Sequence, residues 1–138
     1  DGVIHNENLF QFGIRGTSSK EYLNSEFGSR KNIIYFNEWK NSSFDITGYI
    51  PDDIKYWYVS IDIDVVDPAF APGTGTPVPG GMSSQEFLLL MRNLNGFNLV
   101  GIDLCECAPA YDLAGNTSLL CAYAIAELIA HSKTANTL

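Results

Sequence analysis

Positively charged residues are scarce in this chain of 138 residues. Eight Lys and Arg stand against sixteen Asp and Glu, so the formal net charge is −8. Proteins that bind nucleic acids without sequence preference present a basic surface to the phosphate backbone. The charge therefore argues against nucleic acids and other polyanions as partners, and it favours cationic ligands.

Long apolar runs are also missing, although 46% of the residues are hydrophobic. The most apolar segment, residues 119–129, contains Glu127 and runs into His131 and Lys133. A membrane-spanning helix needs about 20 consecutive apolar residues. We therefore predict no membrane partner, and a length that fits one globular domain rather than two.

The chain has only three cysteines, which do not make a disulfide framework. Cys105 and Cys107 lie too near each other in a strand-like segment to pair comfortably, and we read all three as small buried apolar residues. The first residues include neither Met nor the basic and apolar regions of a secretory signal. We therefore expect a reducing compartment, the cytoplasm, and a chain that is a piece of a longer protein.

Hydrophobic periodicity predicts strands that alternate with helices. Strands are predicted at residues 8–14, 32–36, 56–64 and 99–104, and helices at residues 18–27, 87–94 and 117–130. A capping box, Ser83 to Glu86, precedes the second helix. We predict loops at residues 37–53, with at most a turn of helix, and at residues 66–81, which hold four of the six prolines and in which Asp67-Pro68 initiates a turn. The order indicates an α/β protein with a mostly parallel sheet, whose ligands bind beyond the carboxyl ends of the strands.

Two carboxylates end the strand predicted at residues 56–64. Because side chains alternate across a strand, Asp62 and Asp64 are expected on one face, with Ile61 and Ile63 on the other. Neighbouring carboxylates are costly to bury unless a cation, water or a proton compensates them, so the pair predicts a hard divalent metal, Mg²⁺ or Mn²⁺. The alternative is that the two carboxylates end an ordinary strand and point into solvent. Two features argue against this alternative: the strand has the pattern of burial on both faces, and the loop after it is stiffened by prolines.

These residues carry a family resemblance. Residues 60–77, SIDIDVVDPAFAPGTGTP, followed by Gly80-Gly81, strongly resemble the second metal-binding motif of the ureohydrolases, the family of arginase and agmatinase. Residues 106–112, ECAPAYD, followed by Asn116-Thr117 and an Ala-rich helix, are more similar to agmatinase than to arginase. The resemblance implies an arginase-like α/β/α fold with a mostly parallel sheet, of which residues 1–138 form the C-terminal portion of a single catalytic domain.

The resemblance also implies roles for individual residues. Asp62 would bridge two manganese ions and Asp64 would bind one of them, so that a shared water attacks the guanidinium carbon as hydroxide. Glu106 would pair with the planar guanidinium, and Thr76 would support Glu106 by a hydrogen bond. The implied enzyme hydrolyses agmatine to urea and putrescine, in polyamine biosynthesis, as a homo-oligomer. From its position alone, Glu106 fits an exposed loop acid as well as it fits a substrate-binding residue. For Thr76, a hydroxyl that stabilises a turn is nearly as good an interpretation as support of Glu106.

Three alternatives stay open on the sequence. Arginase or guanidinobutyrase activity would fit the same family. A metal-dependent glycosyltransferase also uses Asp-x-Asp after a buried strand, but it leaves residues 74–77 and Glu106 unexplained. A non-catalytic packing module is the third, because the upstream family motifs that supply two His and two Asp ligands have no counterpart here. The family's catalytic His is missing too; His5 lies in no matching context, so we read it as a surface residue and identify no catalytic residue in the chain.

The 138-residue chain by itself is therefore expected to bind manganese weakly and to hydrolyse no guanidino compound. The reason is that it supplies two carboxylates of a larger ligand set. Metal analysis after dialysis and a urea assay with agmatine on the isolated polypeptide measure both properties. Tightly held stoichiometric manganese together with turnover would contradict the prediction.

Overall fold

A computed structural model of the chain describes residues 4–16 and 32–131. The chain divides into two compact units, Asp1–Asp52 and Asp53–Leu138, and each is described by itself. The helix predicted at residues 18–27 lies outside the described residues. The prediction that the chain is a portion of one catalytic domain stays a prediction.

The first unit contains a parallel strand pair followed at once by a short helix. Strands β1 (Gln11–Ile14) and β2 (Ile33–Tyr35) confirm the two predicted strands at shorter lengths, and helix α1 spans Phe36–Asn41. The predicted loop included a turn of helix, and α1, with six residues, is somewhat longer than one turn. Phe36 and Trp39 are both buried, because a spacing of three residues puts them on one side of a helix. The Trp39 ring centroid lies 5.3 Å from that of Phe12, so tertiary packing supports a helix whose own periodicity is weak.

The second unit is a β-α-β-α arrangement. Its elements are β3 (Trp57–Asp62), α2 (Ser84–Asn93), β4 (Leu99–Cys105) and α3 (Asn116–His131). Strands β3 and β4 pair in parallel, with Ser60 opposite Asp103 and Asp62 opposite Cys105. A parallel pair needs a crossover connection, which here includes α2. The structure thus confirms an α/β chain with parallel strands, and the carboxyl ends of β3 and β4 meet at one edge.

Helices α2 and α3 each contribute an apolar face to the core of the second unit. The predicted capping box is confirmed, because Ser83 Oγ accepts a hydrogen bond from the Glu86 N–H (3.2 Å) while Glu86 Oε2 accepts one from the Ser83 N–H (2.7 Å). The core side chains, each at most 7% exposed, are Ile61, Ile63, Val66, Ala71, Met82, Phe87, Leu90, Met91, Leu94, Leu120, Ala124 and Leu128. Within the described residues, no helix combines the length and the hydrophobicity that crossing a bilayer requires.

Strand β3 differs from its prediction in two respects. It ends at Asp62 rather than Asp64, because residues 63–65 form a single 3₁₀ turn. Its side chains alternate, with Ile61 buried while Tyr58 and Ser60 are exposed, so the expectation of burial on both faces is wrong in the described chain. This is the pattern of a strand with one face on the core.

The predicted long loop after the 3₁₀ turn is confirmed, and Asp67 closes it at its base. The Asp67 carboxylate accepts hydrogen bonds from the N–H groups of Ala69 (2.9 Å), Gly80 (2.6 Å) and Gly81 (3.2 Å). The backbone N–H of Asp67 donates to the Met82 carbonyl (2.8 Å). Asp67 is therefore the turn initiator that the sequence predicts, and it also joins the two ends of the loop. At Gly81 the two ends of the loop approach so closely that a Cβ would lie 2.6 Å from the Asp67 nitrogen.

Gly81→Ala is accordingly expected to lower the free energy of unfolding by about 2 kcal/mol, since the added methyl would overpack rigid backbone. Gly75→Ala is the matched control, because a Cβ at Gly75 would meet nothing within 4 Å. That control should be neutral or stabilising by up to about 1 kcal/mol through the unfolded state. Chemical denaturation measures both variants. Equal stability of the two would contradict the close approach at Gly81.

Candidate functional site

The predicted site residues Asp62, Asp64 and Glu106 lie where β3 and β4 end. Asp62 is the last residue of β3, and Cys105, its partner in the strand pair, is the last residue of β4. Glu106 follows Cys105 directly. The parallel register therefore brings Asp62 and Glu106, which come from separate sequence motifs, to the same edge of the sheet.

Asp62 and Asp64 are held together by a capped turn rather than by strand alternation. Asp62 Oδ1 accepts a hydrogen bond from the Asp64 N–H at 2.9 Å, so the Asp62 side chain caps the 3₁₀ turn that contains Asp64. The Asp62 side chain is exposed, whereas Asp64 is half-buried and its Oδ1 is buried. The prediction of two carboxylates on one strand face is thus corrected, because the backbone leaves the extended conformation after Asp62.

Thr76 contacts Asp64 in the structure. Its hydroxyl donates to Asp64 Oδ2, whereas the resemblance implied a hydrogen bond to Glu106. The physical reason is that the loop closed by Asp67 folds back over the 3₁₀ turn. Thr76 therefore orients the second carboxylate of the pair, and its role toward a substrate stays a prediction.

Glu106 has a left-handed backbone conformation, with φ of +63°. A non-glycine residue in this region is strained by about 1–3 kcal/mol and persists only where its surroundings enforce it. Strand β4 holds the chain on one side of Glu106. On the other side Cys107 forms an antiparallel bridge with Thr74, and the Ala108 N–H donates to the Gly73 carbonyl at 2.8 Å. Such strain is concentrated at functional sites, and no local pattern in the sequence predicts it.

Asp103 lies on the same face of the sheet as Asp62, two residues before the end of β4. Its carboxylate accepts hydrogen bonds from the Tyr58 hydroxyl (2.6 Å) and from the Ser60 hydroxyl (2.7 Å). These bonds, that of Tyr58 first, lower the pKa of Asp103, and the same contact raises the pKa of Tyr58. Asp103 therefore links β3 and β4 on the sheet face that leads to the site.

The cysteines are less buried than predicted. Cys121 is buried, Cys107 is half-buried and Cys105 is exposed. Burial of its sulfur, and then the negative charge of Asp62, raise the pKa of the Cys105 thiol, with smaller effects of Asp103 and Glu106. Burial also raises the pKa of Cys121 to about 12. Carboxylates thus surround the end of β4, and the site has a negative field.

The donor set fits a hard divalent cation in part. Asp62 and Asp64 offer carboxylate oxygens, the ligands that Mg²⁺ and Mn²⁺ prefer. Across residues 4–16 and 32–131, however, no group of three His, Cys, Asp or Glu side chains comes together as a metal site. His5 is exposed, as predicted. The described residues therefore offer two oxygen ligands from the Asp62–Asp64 pair and no complete metal site.

Known proteins of similar sequence match most of this chain. A family model described as the arginase family matches residues 1–131. The human mitochondrial guanidino acid hydrolase is 35% identical over 133 residues, which cover 94% of this chain and 38% of that protein. The mitochondrial agmatinase of Gallus gallus is 36% identical over 138 residues, which cover 94% of this chain and 39% of that protein.

A solved structure shows the same fold. Proclavaminate amidino hydrolase from Streptomyces clavuligerus superposes with a TM-score of 0.75 at 38% identity, covering 94% of this chain and 43% of that chain. The arginase-like α/β fold implied by the resemblance is thus confirmed. The chain spans about two-fifths of the length of the curated relatives it matches.

The strain at Glu106 can be measured by substitution. Glu106→Gly should raise the free energy of unfolding by about 1 kcal/mol, because glycine adopts positive φ without a steric penalty. Glu106→Ala is the control, since it removes the same carboxylate but keeps the Cβ. Urea denaturation of the two variants gives the difference. If alanine stabilised the chain as much as glycine, the gain would come from removing charge and the left-handed backbone would not be its cause.

Proposed function

The chain belongs to the arginase family, and on this premise we propose that it is part of an enzyme that hydrolyses the C–N bond of a guanidino compound to release urea. The observation that supports the proposal is the meeting of the Asp62–Asp64 pair and the strained Glu106 at one edge of β3 and β4. The names of the relatives, guanidino acid hydrolase and agmatinase, agree with this class of reaction. They give no support to the glycosyltransferase hypothesis.

Glu106 is proposed to bind the guanidinium. A carboxylate and a guanidinium are both planar and can form two parallel charge-assisted hydrogen bonds. The left-handed backbone at Glu106 turns the chain sharply after β4, and the contacts at residues 107 and 108 keep it there. Glu106 can therefore orient the guanidinium carbon toward the side of the site where Asp62 and Asp64 lie.

Asp62 and Asp64 are proposed to hold manganese. When bound, manganese would activate a water molecule as the nucleophile. The chain's own contribution is to fix the two carboxylates: the Asp64 N–H holds Asp62 Oδ1, and the Thr76 hydroxyl holds Asp64 Oδ2. Pre-oriented ligands lose less conformational entropy when a cation binds.

Agmatine is the proposed substrate, on the ground of charge. Residues 53–131 contain two basic residues, Lys55 and Arg92, and Arg92 forms an ion pair with Glu127. The same range contains nine acidic residues, which are Asp53, Asp62, Asp64, Asp67, Glu86, Asp103, Glu106, Asp112 and Glu127. This field attracts the amine tail of agmatine and repels the carboxylate tail of a guanidino acid. The two relatives differ by one per cent in identity, so similarity favours neither substrate.

In the whole protein that contains this chain, Asp62→Ala should abolish both urea release and manganese retention, because it removes a proposed ligand. Glu106→Gln should instead raise KM for agmatine by about 100-fold, since a neutral amide replaces a charge-assisted hydrogen-bonding partner worth about 1.5–3 kcal/mol. Urea release against substrate concentration, together with metal analysis, measures both. Glu38→Gln, on the exposed surface of α1, is the matched control and should behave as wild type.

Activity of Asp62→Ala at the wild-type level would contradict the metal role. The same assay run with agmatine and with guanidinobutyrate tests the substrate. A higher kcat/KM for guanidinobutyrate would overturn the choice of agmatine while leaving guanidino hydrolysis in place. Absence of urea release from both compounds, and from arginine, by the manganese-loaded whole protein would overturn the proposed function.

A further inference from the structure

The backbone of Gly73 lies between helix α3 and the segment that follows Glu106. Its N–H donates to Thr117 Oγ1 at 2.8 Å, and its carbonyl accepts from the Ala108 N–H at 2.8 Å. Thr117 is fully buried. A Cβ on Gly73 would lie 2.4 Å from the Asp112 Cβ, so the contact admits only glycine without a shift of the backbone. We call this arrangement of Gly73, Ala108, Asp112 and Thr117 the joint.

The joint is anchored to the start of α3. Asp112 Oδ1 accepts from the Thr117 N–H (3.0 Å), and Asp112 Oδ2 accepts from the N–H (2.8 Å) and the hydroxyl (2.7 Å) of Ser118. These bonds, that of the Ser118 backbone first, lower the pKa of Asp112, and the Thr117 hydroxyl adds to the effect. A carboxylate at this end of a helix is also favoured by the helix dipole. Asp112 thus fixes the position of Thr117.

Both sides of the proposed site attach to the joint within a few residues. Thr76, which contacts Asp64, comes three residues after Gly73. Glu106 comes two residues before Ala108, and the Thr74–Cys107 bridge lies between these attachments. One hydroxyl therefore holds the loop that reaches the metal-binding carboxylates and, through Gly73, the strained turn at Glu106.

We propose that Thr117 is a positioning residue, which sets the separation between the Glu106 carboxylate and the Asp64–Thr76 pair. The proposal rests on the proposed function and names a residue that the function did not require. Without the hydroxyl, the Gly73 N–H is buried and unsatisfied, and the loop loses its bond to α3. The turn at Glu106, which holds its left-handed conformation only under constraint, then relaxes.

Thr117→Val in the whole protein tests the proposal, since valine keeps the shape and removes the hydroxyl. We expect KM for agmatine to rise about tenfold, as a displaced Glu106 loses part of its pairing with the guanidinium. Manganese stoichiometry should stay at the wild-type value. Thr117→Ser restores the hydroxyl and should return KM to within about twofold of wild type. Thr47→Val, an exposed threonine in the first unit, is the matched control and should change neither parameter.

Amide hydrogen exchange gives a readout that does not depend on activity. In Thr117→Val, residues 72–77 and residues 105–109 should both exchange about tenfold faster, while α2 keeps its protection. A whole protein that releases no urea would overturn the proposed function, and the exchange pattern would still decide the role of Thr117. Faster exchange confined to α3, or failure of Thr117→Ser to restore KM, would overturn the positioning role.

If Thr117→Val fails to fold, Asp112→Asn tests the same joint from the side of α3. It keeps the volume and weakens the bonds that fix Thr117. It should raise exchange in the same two segments, by a smaller factor than valine. Unchanged protection at residues 105–109 in a folded Asp112→Asn variant would overturn the proposal.

Discussion

The parallel pairing of β3 with β4 is the constraint on which the rest of the site depends. Its register places Asp62 opposite Cys105, so the segments that follow the two strands start at the same edge of the sheet. A shift of one residue would turn Ile61 outward and Asp62 into the core, at a cost in buried apolar area and in an uncompensated charge. The apolar face of β3 around Ile61, and its pairing with β4, therefore specify the position of the site.

Rigidity around the site comes from loops that are bonded at several points. The loop after the 3₁₀ turn is closed by Asp67, reaches Asp64 through Thr76 and bonds to α3 through Thr117. The bond to Thr117 is buried, where an unsatisfied group is costly, whereas the bonds of Asp67 and Asp64 are more exposed. The loop is long and without helix or strand, yet it has a defined position. This is the setting in which strain at Glu106 can persist.

Charge and geometry support the proposed function in different ways. The acidic field around the end of β4 selects for cations over anions and acts at a distance. The capped turn and the left-handed residue act at contact, by orienting three carboxylates. The relatives carry names of different guanidino substrates, so their names support the proposed class of reaction rather than one substrate. The chain spans about two-fifths of those proteins, and the remaining metal ligands are proposed to lie beyond it.

The sequence by itself determined the alternation of strands and helices, the capping box at Ser83 and the turn at Asp67. These features depend on residues within a few positions of one another, so periodicity and side-chain chemistry report them directly. The Asp62–Asp64 pair and Glu106 were identified because they lie in sequence motifs, and those motifs indicated the family. The tertiary structure decided where β3 stops, that residues 36–41 form a helix, that Thr76 contacts Asp64, and that Glu106 is left-handed. It alone revealed the contact of Thr117 with Gly73, because a contact across 44 residues follows from strand register and helix packing, which no local pattern encodes.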